Sequence, residues 1–347
     1  MKHKSYLDIM RGFSIFFIVL GHAISHSDSV EGIYKFIYSF HVCAFFIISG
    51  YLFNEKKYKF KEFIRKKFFR IMIPYFFWEI IFLIPYAIFI LKRNLFRNYE
   101  IVDYIFKIIY GNGNNDALNQ NTSLWFLPAL FSMEILMYLF IKIFNKFNKK
   151  TRKLLLISVI FIIGIMFSSF IKIKLPWGLN TAFSFLIVFY IGYLIKEKNF
   201  LEKINIKIIF LLGMIGTISC YLNIDIVSLV EYRYGNYFFA LLSGICLSIT
   251  LLGISYKINS NKIIEYVGSN TMGILVFHKI VIILFQAKMG KVTNYLINSN
   301  LTIEMLMGIG VSLITIIFSL GLNKIVKRNF PYLLGSYKKE ERKVEER

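Results

Sequence analysis

The chain has 347 residues, of which 56% are hydrophobic and 18% aromatic, and its formal net charge is +22. This apolar composition lies outside the range of soluble globular domains and indicates that lipid is the solvent. The basic residues lie in short clusters between apolar runs and form no continuous basic face, so we expect no nucleic-acid partner. The three cysteines stand singly in apolar stretches. We therefore expect neither a disulfide framework nor a bound metal.

The first apolar run admits two interpretations. Basic residues at 2–4 precede the apolar residues 13–20, as in a secretory signal peptide. Asp8, Arg11 and His22 interrupt or bound that run, and no separate mature domain follows it. We therefore expect the segment to be retained as the first membrane helix.

The chain is predicted to be an all-α, polytopic membrane bundle. A membrane helix needs roughly 20 mostly apolar residues, and about ten windows of that length are present. The windows lie near residues 7–25, 34–53, 71–91, 125–144, 154–171, 178–195, 206–223, 236–255, 271–287 and 303–323. An even number of spans places both termini on the same side of the membrane.

The distribution of Lys and Arg predicts which side that is. Most of these residues lie near the termini and in the connections that follow every second span. By the positive-inside rule, both termini are cytoplasmic. The longest outer connection, 92–123, is rich in Gly and Asn. It is either a cover over an external pocket or a flexible connector.

Ionisable residues inside the spans are the candidates for function. Each costs about 2.5 to 3.5 kcal/mol at a helix centre, so its presence needs a reason. The candidates are Asp8, Arg11 and His22 in the first span, His41 in the second, Glu79 in the third, Glu134 in the fourth and His278 in the ninth.

Arg11 and His22 share one face of the first helix. They are eleven residues apart, which returns to nearly the same face and separates them by roughly 16 Å along the axis. Asp8 lies one turn below Arg11 and is expected to hold it in an ion pair. The helix is thus predicted to line a polar track. The alternative for His22 is a hydrogen bond that serves helix packing alone.

His41 is expected to approach His22 in depth, because the second helix enters from the outer side. A neutral imidazole near pH 7 accepts a proton from a hydroxyl, which suits general-base chemistry on an alcohol. His278 is either a structural histidine or a further member of this site.

Lys67 and Arg70 lie one turn apart at the start of the third span, a position that suits a phosphate ligand. The alternative is that these cations only orient the protein in the membrane. Glu79 and Glu134 are expected either to polarise a histidine or to pair with a buried cation.

Several segments resemble the acyltransferase-3 family of membrane acyltransferases, in particular its fucose 4-O-acetylase-like branch. Residues 6–23 carry the family's Arg followed eleven positions later by His, and residues 36–53 resemble its FHMPLFFFISGYLF stretch. Residues 67–75, 123–130 and His278 also agree. The departures are Val42-Cys43 in place of Met-Pro, which removes an expected kink, and Lys67 in place of an Arg.

The resemblance implies an acyltransferase domain over residues 1–335, followed by a charged cytoplasmic tail at 336–347. It implies acetyl-CoA as the acyl donor, reached from the cytoplasm. The implied acceptor is a hydroxyl of a surface polysaccharide or of its lipid-linked precursor. The implied location is the inner, or plasma, membrane, as a multi-pass protein.

The resemblance and the residue pattern together assign roles to the candidates. The predicted CoA-binding cations are Lys67, Arg70 and Arg11. The predicted catalytic group is His22 with Arg11 and His41; His22 either deprotonates the hydroxyl or first accepts the acyl group. The residues assigned to substrate binding, on weaker grounds, are Trp125, Tyr51, His278 and Glu79.

Two other classes of function fit a polar track in a membrane. A transporter or flippase would conduct an anion or a lipid-linked sugar along it without making bonds. A non-catalytic scaffold would need no Arg and His aligned in its first span. Consumption of acetyl-CoA by the purified protein separates the enzyme from both alternatives.

Overall fold

The structure is a computed structural model that describes residues 4–24, 30–92, 100–111, 122–171, 173–297 and 301–336. The central part of the predicted outer connection, 112–121, and the predicted charged tail from 337 onward lie outside the described residues. Within the described ranges all regular elements are helices, apart from one isolated bridge between Ser228 and Arg233. The prediction of an all-α chain is confirmed.

Fourteen α-helices follow one another along the described chain. They are α1 Ser5–Ala23, α2 Glu31–Leu52, α3 Phe60–Lys67, α4 Ile73–Lys92, α5 Glu100–Tyr110, α6 Phe126–Ile143, α7 Lys149–Ile165, α8 Leu179–Glu197, α9 Phe200–Lys203, α10 Ile206–Leu222, α11 Tyr237–Ile258, α12 Lys262–Ser269, α13 Thr271–Ile297 and α14 Leu301–Asn329.

Every one of the predicted membrane windows falls on a helix. Among the described residues, seven helical segments are long and apolar enough to cross a membrane, and an eighth arises if α12 and α13 count as one bent span. Helix α10 is apolar but short for a span. These findings support a polytopic membrane bundle.

The third predicted span belongs to a longer helical run. A π-helical turn, Phe68–Met72, joins α3 to α4, so the chain is helical from Phe60 to Lys92. In α3 the side chain of Phe63 is buried against Tyr138 of α6, with ring centroids 4.9 Å apart, while most of its polar residues are exposed. The apolar window near 71 therefore marks where the helix becomes apolar, not where it begins.

The ninth predicted span is preceded by a sharp break. Helices α12 and α13 meet at 80°, with Asn270 between them. The Asn270 amide donates to the carbonyl of Tyr266 at 2.8 Å, and the Asn323 amide of α14 donates to the Asn270 side chain at 2.8 Å. The buried asparagine pair thus satisfies polar groups that the break exposes, as lipid surroundings require.

Helix α1 lies at the centre of the bundle. It packs against α2, α11, α12, α13 and α14. The approach of α12 is so close that a Cβ atom on Gly268 would lie 1.7 Å from the carbonyl oxygen of Asp8. Likewise, a Cβ atom on Gly12 would lie 2.5 Å from the carbonyl oxygen of Ile264. Small residues at such crossings allow two backbones to come into contact. This contact holds the Asp8 end of α1 against α12, just before the bend between α12 and α13.

The cation-rich helix ends lie together, as the charge distribution predicts. The Lys4 ammonium donates to the Tyr51 hydroxyl at 3.1 Å, which joins the start of α1 to the end of α2. The Lys196 ammonium, at the end of α8, donates to the carbonyl of Phe53 at 3.2 Å. Lys149 and Lys153, at the start of α7, both pair with Glu197. We call this the cationic end of the bundle and the opposite one the histidine end.

The crossing of α2 and α8 generates a stability prediction. A Cβ atom on Gly50 would lie 1.9 Å from the carbonyl oxygen of Phe189, and one on Gly192 would lie 2.2 Å from the carbonyl oxygen of Ile47. We expect Gly50→Ala to lower the free energy of unfolding by about 1–3 kcal/mol, because the two backbones must separate. Thermal unfolding in detergent measures the change.

Gly321→Ala is the matched control for this substitution. Gly321 lies in α14, and no described heavy atom outside its own helix lies within 4 Å of the position that its Cβ would take. We expect its unfolding midpoint to equal that of the wild type or to exceed it. Equal effects of the two substitutions would contradict close backbone packing as the cause.

Candidate functional site

One face of α1 carries Arg11 at one level and His22 at another, as predicted. The Arg11 guanidinium and the Asp8 carboxylate form an ion pair with Nη1 and Oδ1 2.5 Å apart. Arg11 and His22 are half-buried, whereas Ile15 and Ile18 between them on the same face are buried. The two isoleucines belong to an apolar cluster with residues of α4, α6 and α13. The predicted track is therefore packed with apolar side chains between its two polar levels.

His22 meets two groups that come from distant parts of the chain. Its ring centroid lies 5.4 Å from that of His278 on α13. The hydroxyl of Ser123, in the 3-10 turn that begins α6, lies 3.5 Å from Nε2 of His22 and 3.3 Å from Nε2 of His278. These distances are at the long end of the hydrogen-bonding range, which is common in catalytic groups before substrate binds. The histidine site consists of His22, Ser123 and His278.

The backbone determines which nitrogen of His278 carries a proton in its neutral form. Nδ1 of His278 lies 2.9 Å from the carbonyl oxygens of Ile274 and of Leu275. A carbonyl oxygen only accepts hydrogen bonds, so Nδ1 must be the donor. The lone pair of neutral His278 is then on Nε2, which faces the Ser123 hydroxyl. Ser123 is thereby assigned as the donor to His278, and its oxygen is open to accept from His22.

His41 lies in the buried part of α2. Its Nδ1 lies 2.8 Å from the carbonyl oxygen of Ile37, and its ring packs against Tyr38 with centroids 4.8 Å apart. The Tyr38 ring in turn lies against Gly21, the neighbour of His22. The described contacts bring His278, not His41, to His22. The predicted catalytic role of His41 stays a prediction without a contact to support it.

Lys67 and Glu134 form a bridge between α3 and α6. The Lys67 ammonium lies 2.7 Å from Oε1 and 2.6 Å from Oε2 of the Glu134 carboxylate, which is 6% exposed. Of the two alternatives for Glu134, pairing with a buried cation is therefore the one observed. The Lys67 ammonium donates a hydrogen bond to Oε1, whereas Oε2 accepts none from the described residues, and the Lys67 side chain remains 28% exposed. Its CoA-binding role stays a prediction.

The two polar levels recur on α6 and the 3-10 turn before it, with the same sequence spacing as on α1. Ser123 in that turn and Glu134 in α6 are eleven residues apart, as are Arg11 and His22, so each pair is separated by roughly 16 Å along its helical segment. Helix α1 runs from the cationic end toward the histidine end, and α6 runs the other way. The Lys67–Glu134 bridge and Arg11 therefore lie at similar depths.

Arg70 lies in the π-helical turn and is exposed. Its side chain makes no ion pair with any described residue, and its carbonyl and Cγ lie against Gly335 near the end of the described chain. Lys67 faces α6, so the two cations have different surroundings despite their spacing. No described residue accepts a hydrogen bond from the Arg70 guanidinium, and its predicted role in CoA binding stays a prediction.

Glu79 of α4 and Lys279 of α13 lie beside the histidine site. Glu79 is 2% exposed, and Lys279, which follows His278 and is half-buried, is the charged group that acts on it electrostatically. The neighbouring rings of Trp78 and Phe277 meet edge to face with centroids 4.9 Å apart. The influence of Lys279 favours a cation as the partner of Glu79, and the pairing itself stays a prediction. A substrate contact of Glu79 stays a prediction.

Trp125 and Tyr51 lie at opposite ends of the bundle. Trp125 follows Ser123 by two residues and is half-buried at the histidine end. Tyr51 is buried at the cationic end, where its hydroxyl lies 2.9 Å from that of Tyr6. The two rings therefore cannot bind the same small group, and the predicted substrate contacts of Trp125 and Tyr51 stay predictions.

Ser123 was not singled out as a functional residue from the sequence. It stood in the motif at 123–130, but a serine at a helix start is ordinarily read as a cap. Only the packing of α13 beside α1 in the structure shows that Ser123 lies between His22 and His278. Among the described residues, no group of three His, Cys, Asp or Glu side chains is arranged as metal ligands.

A comparison with protein families gives one match that covers most of the chain. Residues 4–324 match the acyltransferase-3 family, whose description is an acyltransferase domain. Searches of curated proteins and of solved structures found no match. The fucose 4-O-acetylase-like branch stays a prediction. The helical bundle with its apolar spans and the family match agree: the chain belongs to the acyltransferase-3 family and is a multi-pass membrane acyltransferase.

Proposed function

We propose that the protein transfers an acyl group, most simply acetyl, from cytoplasmic acyl-CoA to a hydroxyl of a surface polysaccharide or of its lipid-linked precursor. The observation that carries this proposal is the histidine site. It lies roughly 16 Å along α1 from Arg11, and Lys67 lies at a depth similar to that of Arg11. The cationic end faces the cytoplasm under the positive-inside rule, and the protein resides in the plasma membrane.

The separation of the two levels suits the donor. About 13 bonds join the thioester sulfur of CoA to its nearest phosphorus, which at roughly 1.2 Å per extended backbone bond spans about 16 Å. With its thioester beside His22, the arm therefore places the pyrophosphate near Arg11 and Lys67. Because Ile15 and Ile18 fill the face between them, the arm must displace these two side chains when it enters.

Ser123 links the two histidines. Its hydroxyl donates to Nε2 of His278, and its oxygen faces Nε2 of His22. His22 then removes the proton of the acceptor hydroxyl while the hydroxyl oxygen attacks the thioester carbonyl carbon. The charge that develops on His22 is spread through the Ser123 hydrogen bond toward His278.

The bond changes balance without any further reactant. A C–O bond forms, the C–S bond breaks, and the CoA thiolate leaves and takes up the proton held on His22. The route through an acyl-histidine uses His22 as the nucleophile. Rapid quenching with acyl-labelled donor in the absence of acceptor distinguishes the routes, since only the second leaves label on the protein.

His22→Gln tests the proposal. The Gln amide retains a donor toward Ser123 but lacks the basic nitrogen, so we expect acyl transfer to fall by about 10²–10⁴-fold. The measurements are O-acetyl content of host surface glycans and acetyl-CoA consumption by purified protein. His41→Gln tests the remaining catalytic prediction for His41; because its ring packs on Tyr38, we expect a loss of less than about tenfold. Unchanged transfer in a folded His22→Gln variant contradicts the proposal.

Ser123 is a positioning residue in this scheme, because it acts through the two histidines. We expect Ser123→Ala to lower kcat by about 10–100-fold with little change in the KM for the donor, since ground-state binding is not altered. Ser123→Thr keeps the hydroxyl and should restore at least a third of the activity. Equal losses in the Ala and Thr variants would show that packing, not the hydroxyl, matters.

Variants of Lys67 and Glu134 can distinguish an effect on donor binding from an effect on the stability of the fold. Lys67→Met alone leaves a buried carboxylate unpaired and should lower the free energy of unfolding by about 3 kcal/mol. The double variant Lys67→Met/Glu134→Leu replaces the pair with apolar groups and should recover stability. We expect its KM for acetyl-CoA to stay raised by about tenfold, because the cation is missing. A wild-type KM in the stable double variant would assign Lys67 a structural role only.

A further inference from the structure

A polar cleft opens at the cationic end, outside the site described so far. The loop between α2 and α3 and the end of α6 line this open cleft, whose volume of about 530 Å³ lies within the size range of small-molecule sites. We call it the lysine cleft. Its lining residues are Glu55, Lys56, Lys57, Tyr58, Lys59, Phe60, Glu62, Tyr138 and Lys142.

The acidic residues of the lysine cleft have partners, whereas two of its lysines make no ion pair with a described residue. Both acidic residues have partners: the Glu62 carboxylate pairs with Lys66 at 3.5 Å, and Glu55 is 8% exposed and accepts from Tyr193 at 3.5 Å. The exposed side chains of Lys56 and Lys59 make no ion pair with any described residue. The cleft therefore presents unneutralised positive charge.

Tyr58 reports the same excess of positive charge. Its ring lies 3.9 Å from the Lys66 ammonium and 5.2 Å from that of Lys57. Burial alone would raise the pKa of the Tyr58 phenol, but hydrogen bonds to Lys66 and Lys57 and their charges lower it below its ordinary value. The surroundings thus favour a negative charge at this position.

The lysine cleft lies beyond the Lys67–Glu134 bridge along α6, on the side away from the histidine site. Tyr138 follows Glu134 by one turn of α6, roughly 6 Å farther from the histidine end, and Lys142 follows by another turn. Phe60 and Phe63 of α3 both pack on Tyr138, with ring centroids 5.2 and 4.9 Å apart. A ligand whose pyrophosphate lies near Lys67 would therefore extend its remaining groups into the cleft.

We propose that the lysine cleft binds the 3′-phosphate of the CoA nucleotide, with Lys56 and Lys59 as the cations that recognise it. The inference rests on the proposed function, because it presumes CoA as the donor. The shared chemistry is a phosphate group beside lysines and aromatic rings, which an anionic lipid headgroup also offers. The nucleotide is favoured because the cleft lies in line with the reactive site at the depth that the donor reaches.

The test compares CoA with 3′-dephospho-CoA, using full-length protein in nanodiscs of phosphatidylcholine. In the wild type we expect CoA to bind about five- to twentyfold more tightly than 3′-dephospho-CoA, the range for two exposed charge pairs. In Lys56→Gln/Lys59→Gln this preference should fall below about twofold. Binding of 3′-dephospho-CoA should be nearly the same in both proteins.

Lys150→Gln/Lys198→Gln is the matched control. It removes the same charge from exposed residues at the cationic end that do not line the cleft, and it should keep the wild-type preference. A wild-type preference in Lys56→Gln/Lys59→Gln overturns the cleft assignment while leaving CoA as the donor. No CoA binding by the wild type overturns both proposals.

Nanodiscs that contain phosphatidylglycerol separate the lipid from the nucleotide. We expect phosphatidylglycerol to raise the unfolding midpoint equally in the wild type and in Lys56→Gln/Lys59→Gln. A stabilisation lost only in that variant, together with an unchanged preference for CoA, assigns the cleft to a lipid headgroup and overturns the proposal.

Discussion

The requirement that every polar group inside a bilayer finds a partner within the protein shapes this bundle. His278 is held by two carbonyls of its own helix, and this leaves its other nitrogen facing Ser123. Asn270 satisfies the same requirement at the break before α13. The helix that carries His278 is thus fixed in rotation by its polar residues, because apolar surface in lipid gives little preference for one orientation over another.

Periodicity and hydropathy were sufficient to predict a helix at each apolar window and to define the face of α1. The spacing of Arg11 and His22 is a property of one helix, so it follows from the sequence alone. Contacts between helices do not follow from the sequence alone, because Ser123 and His278 are separated from His22 by long stretches of chain. The sequence predicts His41 as the partner of His22 because the two residues lie at similar depths in the membrane. Depth does not determine how α2 is rotated about its axis, and therefore which way His41 points. Tyr38 packs against the ring of His41 instead.

The π-helical turn explains why Lys67 and Arg70 differ. In a regular α-helix, residues three apart share a face, which is the premise of a paired phosphate site. A π turn takes up an additional residue, so side chains on either side of it are rotated apart. Lys67 is thereby directed to Glu134, while Arg70 is exposed. Such turns recur at functional sites and have no reliable signature in apolar periodicity.

The antiparallel arrangement of α1 and α6 gives the molecule two chemically different ends at a fixed separation. The Arg11–Asp8 and Lys67–Glu134 ion pairs lie toward the cationic end, where water and headgroups solvate charges, and two imidazoles with a hydroxyl lie toward the other end. A thioester is uncharged and crosses apolar surroundings at little cost, whereas a phosphate does not. Under the proposed function, the apolar residues Ile15 and Ile18 therefore admit the acyl arm and exclude the nucleotide. In that scheme the difference in desolvation cost is what keeps the nucleotide at the cationic end while its acyl group reaches the histidines.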